Sequence, residues 1–467
     1  MTRGSAATAN DSPIEARLIR AIGLRDATFL VITNVIGSAI FLTPGTMAAT
    51  LPSESLLLLA WVVGGALAIC GGLTYAEMGA MFPRSGGLYV FLEEAYGPLV
   101  AFLFGWAGLL VILTGSVATV AVGFAKYFSY FLPALGTDRV ALAIPLPWGS
   151  WAISAGQIVA ATSIVALCAV NYVGIQAANR LQAALTIVKI AALAALPILA
   201  LALHPSSLTL TPVVPSIPSP FRAFGVVMIA VMWAYEGWYY LPFCAGEIAD
   251  ARRTVPRALL MGIAALIAIY TTVNVAYMLA LPLGEISGVE RIAEKAVTAL
   301  VGSAGASLVA ATVVISTLAC NAAAVIAMSR ACFAMAADGQ FFQSAAAVHT
   351  RYRTPHVAIV MTCAWSAILT LTGTYEQLFT WVTFASVAFG VLGGLAIFRL
   401  RATQAHVPRP YRAWGYPVVP LLFVAGLFVL VVNTLIEKPM ESLIGIGLVV
   451  LGLPAYFYWR RLRLRTP

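Results

Sequence analysis

The chain has 467 residues, of which 61% are hydrophobic and only 10% charged, with a formal net charge of +9. A soluble domain of this size needs far more charge on its surface, so the solvent for most of the chain is lipid. The mean hydropathy of +0.93 agrees.

The first 20 or so residues are polar and mildly basic, and read as an uncleaved cytoplasmic tail rather than a signal peptide. Twelve apolar segments follow, centred near residues 37, 67, 110, 162, 190, 235, 268, 318, 364, 389, 426 and 449. A membrane span needs roughly 20 apolar residues, and the short connections leave no room for a separate soluble domain. An even number of spans puts both ends on one side. With the N-terminus inside, 20 Lys and Arg fall on the inner face and six on the outer, 26 of the 27 in the chain. That is a strong positive-inside bias. The charge therefore records topology, and nucleic acid is not the partner it implies.

The first segment, "VITNVIGSAIF", places Asn34, Gly37 and Ser38 in the middle of an apolar run, with Pro44 beyond. Glycine lets a helix open, and opened backbone is tolerated at membrane depth only where it lines a cavity. Half-helix N-termini attract a carboxylate and freed carbonyls an ammonium, the part common to all amino acids. The fifth segment carries Lys189, the one basic residue that fits neither face. Nine residues beyond Arg180, it lies roughly 14 Å deep, against about 18 Å for Gly37. An ammonium at this depth needs a polar interior, so Lys189 is expected to donate to the carbonyls of the first break or to exchange protons. The sixth segment, "VVMIAVMWAYEGWYYLPF", repeats the first, with Gly237 beside Glu236 and Pro242 beyond. Five spans separate the pair, so they run in opposite directions, as broken segments do in the inverted halves of a secondary transporter. Glu236 stands where the second half of the sixth segment begins and is expected to cap that half-helix or, alternatively, to titrate or pair with an ammonium. The six cysteines lie within or at the ends of spans with no CxxC pair, and the four histidines lie in loops or at span ends. Neither a metal site nor a disulfide framework is expected.

Several stretches together carry a family resemblance: "NVIGSAIFLTPG", "YAEMGAMFPRSGGLYVFLEEAYGPLVAFLFGW", "VMWAYEGWYYLPFCAGEIADARRTVPRAL", "MSRACFAMAADGQFF", "TPHVAIV" and "RPYRAWGYPVVP". From about Gly23 to Val424 the chain resembles the amino acid–polyamine–organocation superfamily, and most of all bacterial relatives of the L-type amino acid transporters. The resemblance implies an all-α integral membrane fold of twelve transmembrane helices, a LeuT-type 5+5 inverted repeat plus two C-terminal helices. The expected divisions are a cytoplasmic tail (1–22) and a transporter core (23–400) with repeats at about 23–204 and 221–400. The two additional helices (401–459) and a basic cytoplasmic tail (460–467) follow.

The resemblance also assigns roles. The substrate carboxylate would meet Gly37, Ser38 and Ala39, and the amino group the carbonyls of Val35, Trp233 and Glu236. The Trp233 ring would gate the ligand, and Tyr235 and Gly237 complete the second break. Lys189 would occupy the place of a sodium ion, faced by Ser316 and Thr317. Ala39 stands where the family has a third glycine, so its methyl narrows the approach. The outer loop between the third and fourth spans lacks the cysteine that joins animal relatives to a glycoprotein, so no disulfide-linked ancillary subunit is expected. The expected protein is a sodium-independent transporter of neutral L-amino acids in a cell inner membrane, without cofactor or metal, working by exchange or proton-coupled uptake. A polyamine or cationic amino acid carrier is the alternative, with Glu236 as countercharge. A membrane enzyme is disfavoured because no metal cluster, nucleophile–base pair or phosphate loop is visible, and a channel because no pore rings repeat.

Overall fold

The computed structural model describes residues 20–146, 149–173, 175–203 and 219–463. Most of the expected N-terminal tail, half of the C-terminal one and His204 lie outside the described residues. The chain opens with α1 (Leu24–Val35) and α2 (Ala39–Thr50), which are the two halves of the first apolar segment. The long α3 (Glu54–Met81) follows, capped by the Ser53 side chain, which accepts from the Leu56 amide. A short α4 (Leu88–Tyr96) leads into α5 (Pro98–Ala107) and α6 (Leu113–Phe128), joined by one π-helical turn at Gly108–Ile112. Next come α7 (Ala155–Val173), α8 (Ile175–Leu203) and α9 (Pro220–Ala234). A 3-10 segment, Trp238–Glu247, completes the sixth apolar stretch before α10 (Ala251–Ala280).

A small α11 (Leu283–Ile286) precedes α12 (Ile292–Ala337), which bends at Gly302, where φ is 78°. The second half continues with α13 (His356–Leu369), α14 (Tyr375–Thr403), α15 (Val418–Glu437), α16 (Pro439–Val450) and α17 (Gly452–Arg463). Among the described residues nine helices are long and apolar enough to cross a membrane. Of the three other expected segments, two are shorter apolar helices, Ile187–Leu203 and His356–Leu369. The third is broken between α9 and the 3-10 turn.

Among the described residues the fold is all-α as expected, but for one connection. The connection between α6 and α7 forms an antiparallel hairpin of β1 (Val140–Leu146) and β2 (Gly149–Ser154). It lies outside the apolar spans, where a hairpin needs no lipid-compatible helix, and Trp151 Nε1 fastens it by donating to Leu371 O at 3.0 Å.

Packing places the two broken segments together. The second half of the first, α2, lies against α9, and α1 lies against the 3-10 segment, so the pair runs antiparallel. Helix α10 packs on both α3 and α1, and α12 packs on α6 and α8. The glycine at 123 permits one close approach: a Cβ there would sit 2.4 Å from the Ser38 Cβ, so α6 can press directly on the first break.

Candidate functional site

Opening a helix in the membrane leaves backbone groups to be satisfied one by one. At the first break the carbonyls find side-chain donors from four helices. Lys189 Nζ of α8 donates to Thr33 O (3.1 Å) and Ile36 O (2.9 Å), and the Ser316 hydroxyl of α12 donates to Ile36 O (3.3 Å). Cys320 Sγ donates to Asn34 O at 3.1 Å. The Tyr270 hydroxyl of α10 lies 3.0 Å from Val35 O and 2.9 Å from Ala234 O, so one side chain ties both breaks. Tyr277 and Tyr127 donate to Ile40 O and Phe41 O. Helix α2 then starts at Ser38 and Ala39 with no side-chain cap, leaving the first amides as the free donors of a helix N-terminus.

The second break is fixed by Gly237, whose φ of 105° belongs to the left-handed region. A Cβ there would lie 2.9 Å from Asn34 O, so the two breaks touch through this glycine. Glu236 beside it does not cap the following segment, which carries no side-chain cap bond. Its carboxylate accepts instead from Tyr239, from Tyr240 (3.4 Å) and from Ser386 of α14 (2.9 and 3.0 Å). The reason is geometric: a 3-10 turn brings Tyr239 and Tyr240, three and four residues on, over the carboxylate.

Between the breaks lies a cavity of about 20 Å³, walled by Asn34, Val35 and Gly37–Ala39 of the first break and by Trp233, Glu236 and Tyr240 of the second. Ser116 and Val120 of α6 with Cys320 and Ala324 of α12 close it. That is room for about one water molecule, so the site is shut down around its own polar groups. A vestibule of about 1390 Å³ opens at the face that the charge count assigns to the outside.

Tyr375, at the start of α14, lines the vestibule and separates the two spaces. Its hydroxyl bonds the Ser38 hydroxyl at 3.0 Å and accepts from Trp233 Nε1 at 3.1 Å. Trp233 in turn stacks on Phe379. On the opposite face three ion-pair clusters close the structure. Arg330 meets Glu247 at 2.6 Å, and Arg84 meets Glu93 at 2.8 Å and Glu94 at 3.2 Å. Glu77, wholly buried, meets Arg401 at 2.6 Å and Arg409 at 3.3 Å.

Of the residues expected at a site, Val35, Gly37, Ser38, Ala39, Trp233 and Glu236 line the cavity together. Lys189 and Ser316 share the carbonyl of Ile36 behind it. Three residues do not reach the wall. Tyr235 turns away, its ring against Trp61 and Tyr270 and its hydroxyl donating to Trp61 O, because the start of the break rotates it toward α3 and α10. Thr317 bonds carbonyls of its own helix, one residue out of register with Ser316. Gly237 acts through its backbone alone. The Val35 carbonyl accepts from the Gly37 amide (2.8 Å) as well as from Tyr270, so both its lone pairs are engaged in this closed form. Sequence reasoning missed Asn34, Tyr270, Cys320 and Tyr375. Asn34 had a signal, a polar residue in an apolar run; the others gave none, since tyrosine and cysteine are ordinary within apolar helices.

Comparison with known proteins bears on the family of the chain. The family model described as "Amino acid permease" matches residues 22–451. The serine/threonine exchanger SteT of Bacillus subtilis (strain 168) is 32% identical over 443 residues, 94% of this chain and 97% of that protein. The human Asc-type amino acid transporter 1 is 28% identical, across 95% of this chain and 83% of its own length. The human large neutral amino acids transporter small subunit 2 is 28% identical, across 95% and 81%. Apolar helices broken at two antiparallel points and a match along nearly the whole sequence lead to one assignment: this multi-pass membrane protein belongs to the amino acid permease family, within the amino acid–polyamine–organocation superfamily.

Proposed function

We propose that the protein is a sodium-independent secondary transporter of neutral L-amino acids that works by alternating access. One observation carries the reading: the Lys189 ammonium, wholly buried, bonds the opened carbonyls of Thr33 and Ile36. A fixed positive charge on these carbonyls fills the place a sodium ion would need. The amides of Ser38 and Ala39 at the start of α2 receive the substrate carboxylate, and Trp233 and Tyr375 close over it from the vestibule. Relatives named as an exchanger of serine and threonine and as neutral amino acid transporters support the substrate class, and the first of them supports exchange over proton-coupled uptake.

The wider frame is part of the same proposal. Twelve spans form two inverted repeats, about 23–204 and 221–400, with two further helices (401–459), and both ends lie in the cytoplasm of a cell whose inner membrane holds the protein. The positive-inside count and the antiparallel breaks support this frame. One relative is named a small subunit. All six cysteines of this chain lie in helices or the 3-10 segment rather than the outer hairpin, which favours a transporter without a disulfide-linked ancillary subunit.

Purified protein in liposomes tests the reading. Labelled L-serine, L-alanine and L-leucine are offered beside arginine and putrescine, with sodium or choline outside and with preloaded or empty vesicles. Neutral amino acids are expected to enter preloaded vesicles at rates indifferent to sodium. Lys189→Met is expected to lower uptake about tenfold or more, by removing a charge-assisted bond pair. Strict sodium dependence, or a preference for putrescine, overturns the proposal.

A further inference from the structure

The residues used so far recognise what all amino acids share, and part of the cavity wall is left over. Asn34 lines the cavity and is 5% exposed, yet its side-chain Oδ1 and Nδ2 are both buried without a hydrogen-bond partner. A buried amide with neither bond made costs free energy unless something visits it. Beside it stands the Glu236 carboxylate, only partly buried because it borders the cavity, held by hydroxyl groups and with no ion pair among the described residues. The Ser116 hydroxyl, bonded to Tyr240 at 3.1 Å, continues this polar side of the wall. Val120, Cys320 and Ala324 bound the remaining space.

We infer that Asn34 and Glu236 form a side-chain subsite selecting small L-amino acids that bear a hydroxyl group. This rests on the amino acid reading above and names the substrate class of the same site. The chemistry follows from counting donors and acceptors. Asn34 offers an unmet NH2 group with two N–H donors and an unmet acceptor, Oδ1, and the Glu236 carboxylate, already accepting from three hydroxyl groups, offers acceptors only. A hydroxyl satisfies such a pair, because it accepts from Nδ2 while donating to Oδ1 or to the carboxylate. An ammonium donates only, so it leaves Nδ2 unmet; this disfavours a polyamine or a lysine side chain. A substrate carboxylate would meet Glu236 as a like charge. A methyl group in place of the hydroxyl leaves both polar atoms of the Asn34 side chain unpaired. Sites built to hydrogen-bond a substrate hydroxyl reject the analogue lacking it.

The test compares near-isosteric pairs on the full protein in liposomes: L-serine with L-alanine, and L-threonine with L-2-aminobutyrate. In the wild type kcat/KM for the hydroxyl partner is expected to exceed that of its deoxy analogue by about tenfold or more in both pairs. Asn34→Ala is expected to bring both ratios down to about twofold or less, and Glu236→Gln, which keeps shape and an acceptor, to lower them less. Wild-type ratios near one overturn the inference, whether or not the variants fold. So does an Asn34→Ala protein that loses both partners of a pair equally, since that marks a structural or α-amino contact. Failure to carry any neutral L-amino acid removes the underlying function instead; alanine carried as well as serine removes only the subsite.

Discussion

Tyr270 carries one hydroxyl proton and faces two carbonyls, Val35 O at 3.0 Å and Ala234 O at 2.9 Å. It is wholly buried, so no water replaces it. Interhelical bonds of this kind in membranes are worth about 0.6 kcal/mol on average and up to ~1.7. Tyr270→Phe is therefore expected to destabilise the protein by about that range, read as a lower melting temperature in detergent, with transport slowed because both breaks lose their common anchor. An unchanged melting curve and unchanged turnover would show that the hydroxyl is ornamental. The contrast with Tyr235 is instructive. Both are buried tyrosines, but Tyr235 bonds only the carbonyl of Trp61 at 3.3 Å, away from the cavity.

At the scale of elements, the two breaks work because particular backbones can come close. Gly237 combines a φ of 105° with only 2.9 Å between its would-be Cβ and Asn34 O. Gly237→Ala is expected to cost roughly 1–3 kcal/mol of strain and to abolish transport. Gly284→Ala, with no atom within 4 Å of the added methyl, is its control and should fall within about 0.5 kcal/mol of the wild type. Equal melting temperatures for the two variants would remove the steric account of the break.

Ion pairs between elements divide in the same way by burial. Arg330 on α12 and Glu247 at the end of the 3-10 segment are each 2% exposed. Removing one partner strands the other, so Arg330→Met should lose about 3–5 kcal/mol. Arg291 and Glu294, 35% and 21% exposed, form a pair of similar length, and Arg291→Met should lose about 1 kcal/mol or less. Chemical or thermal unfolding of the two variants in detergent decides; similar losses would contradict the burial argument.

The whole molecule is open on one face and tied on the other. The vestibule reaches down to Tyr375, while Arg330–Glu247, Arg84–Glu93 and Glu77–Arg401 join α12, α4, α3, α14 and the 3-10 segment across the opposite end. The backbone of Ile22 adds to this closure, pairing with Glu247 O and the Ala249 amide. The proposed orientation puts the vestibule outside. In a cysteine-free background, Glu290→Cys is expected to react with a membrane-impermeant thiol reagent added to intact cells. Arg253→Cys, also an exposed side chain, is expected to react only after the membrane is opened. The reverse pattern would invert the topology.

Much of this was legible from residues 1 to 467 alone, for a physical reason: lipid cannot satisfy backbone or charge, so every departure from plain hydrocarbon signals a partner. Asn34, Gly37, Glu236 and Lys189 announced two breaks and a buried ammonium in that way, and the basic residues carry the orientation proposed above. What the one-dimensional pattern could not carry was which way a side chain turns once a helix unwinds. Without a fixed 3.6-residue period, neighbours such as Tyr235 and Glu236 go to different places, and a 3-10 turn, not a cap, takes up the carboxylate. The donors that answer the opened carbonyls lie on α6, α8, α10 and α12, some of them nearly 300 residues away. Only packing of those helices on the breaks decided that Tyr270, Cys320 and Tyr375 belong to the site, because a hydroxyl or thiol in an apolar helix looks the same in sequence whether it faces lipid, a neighbour or a cavity.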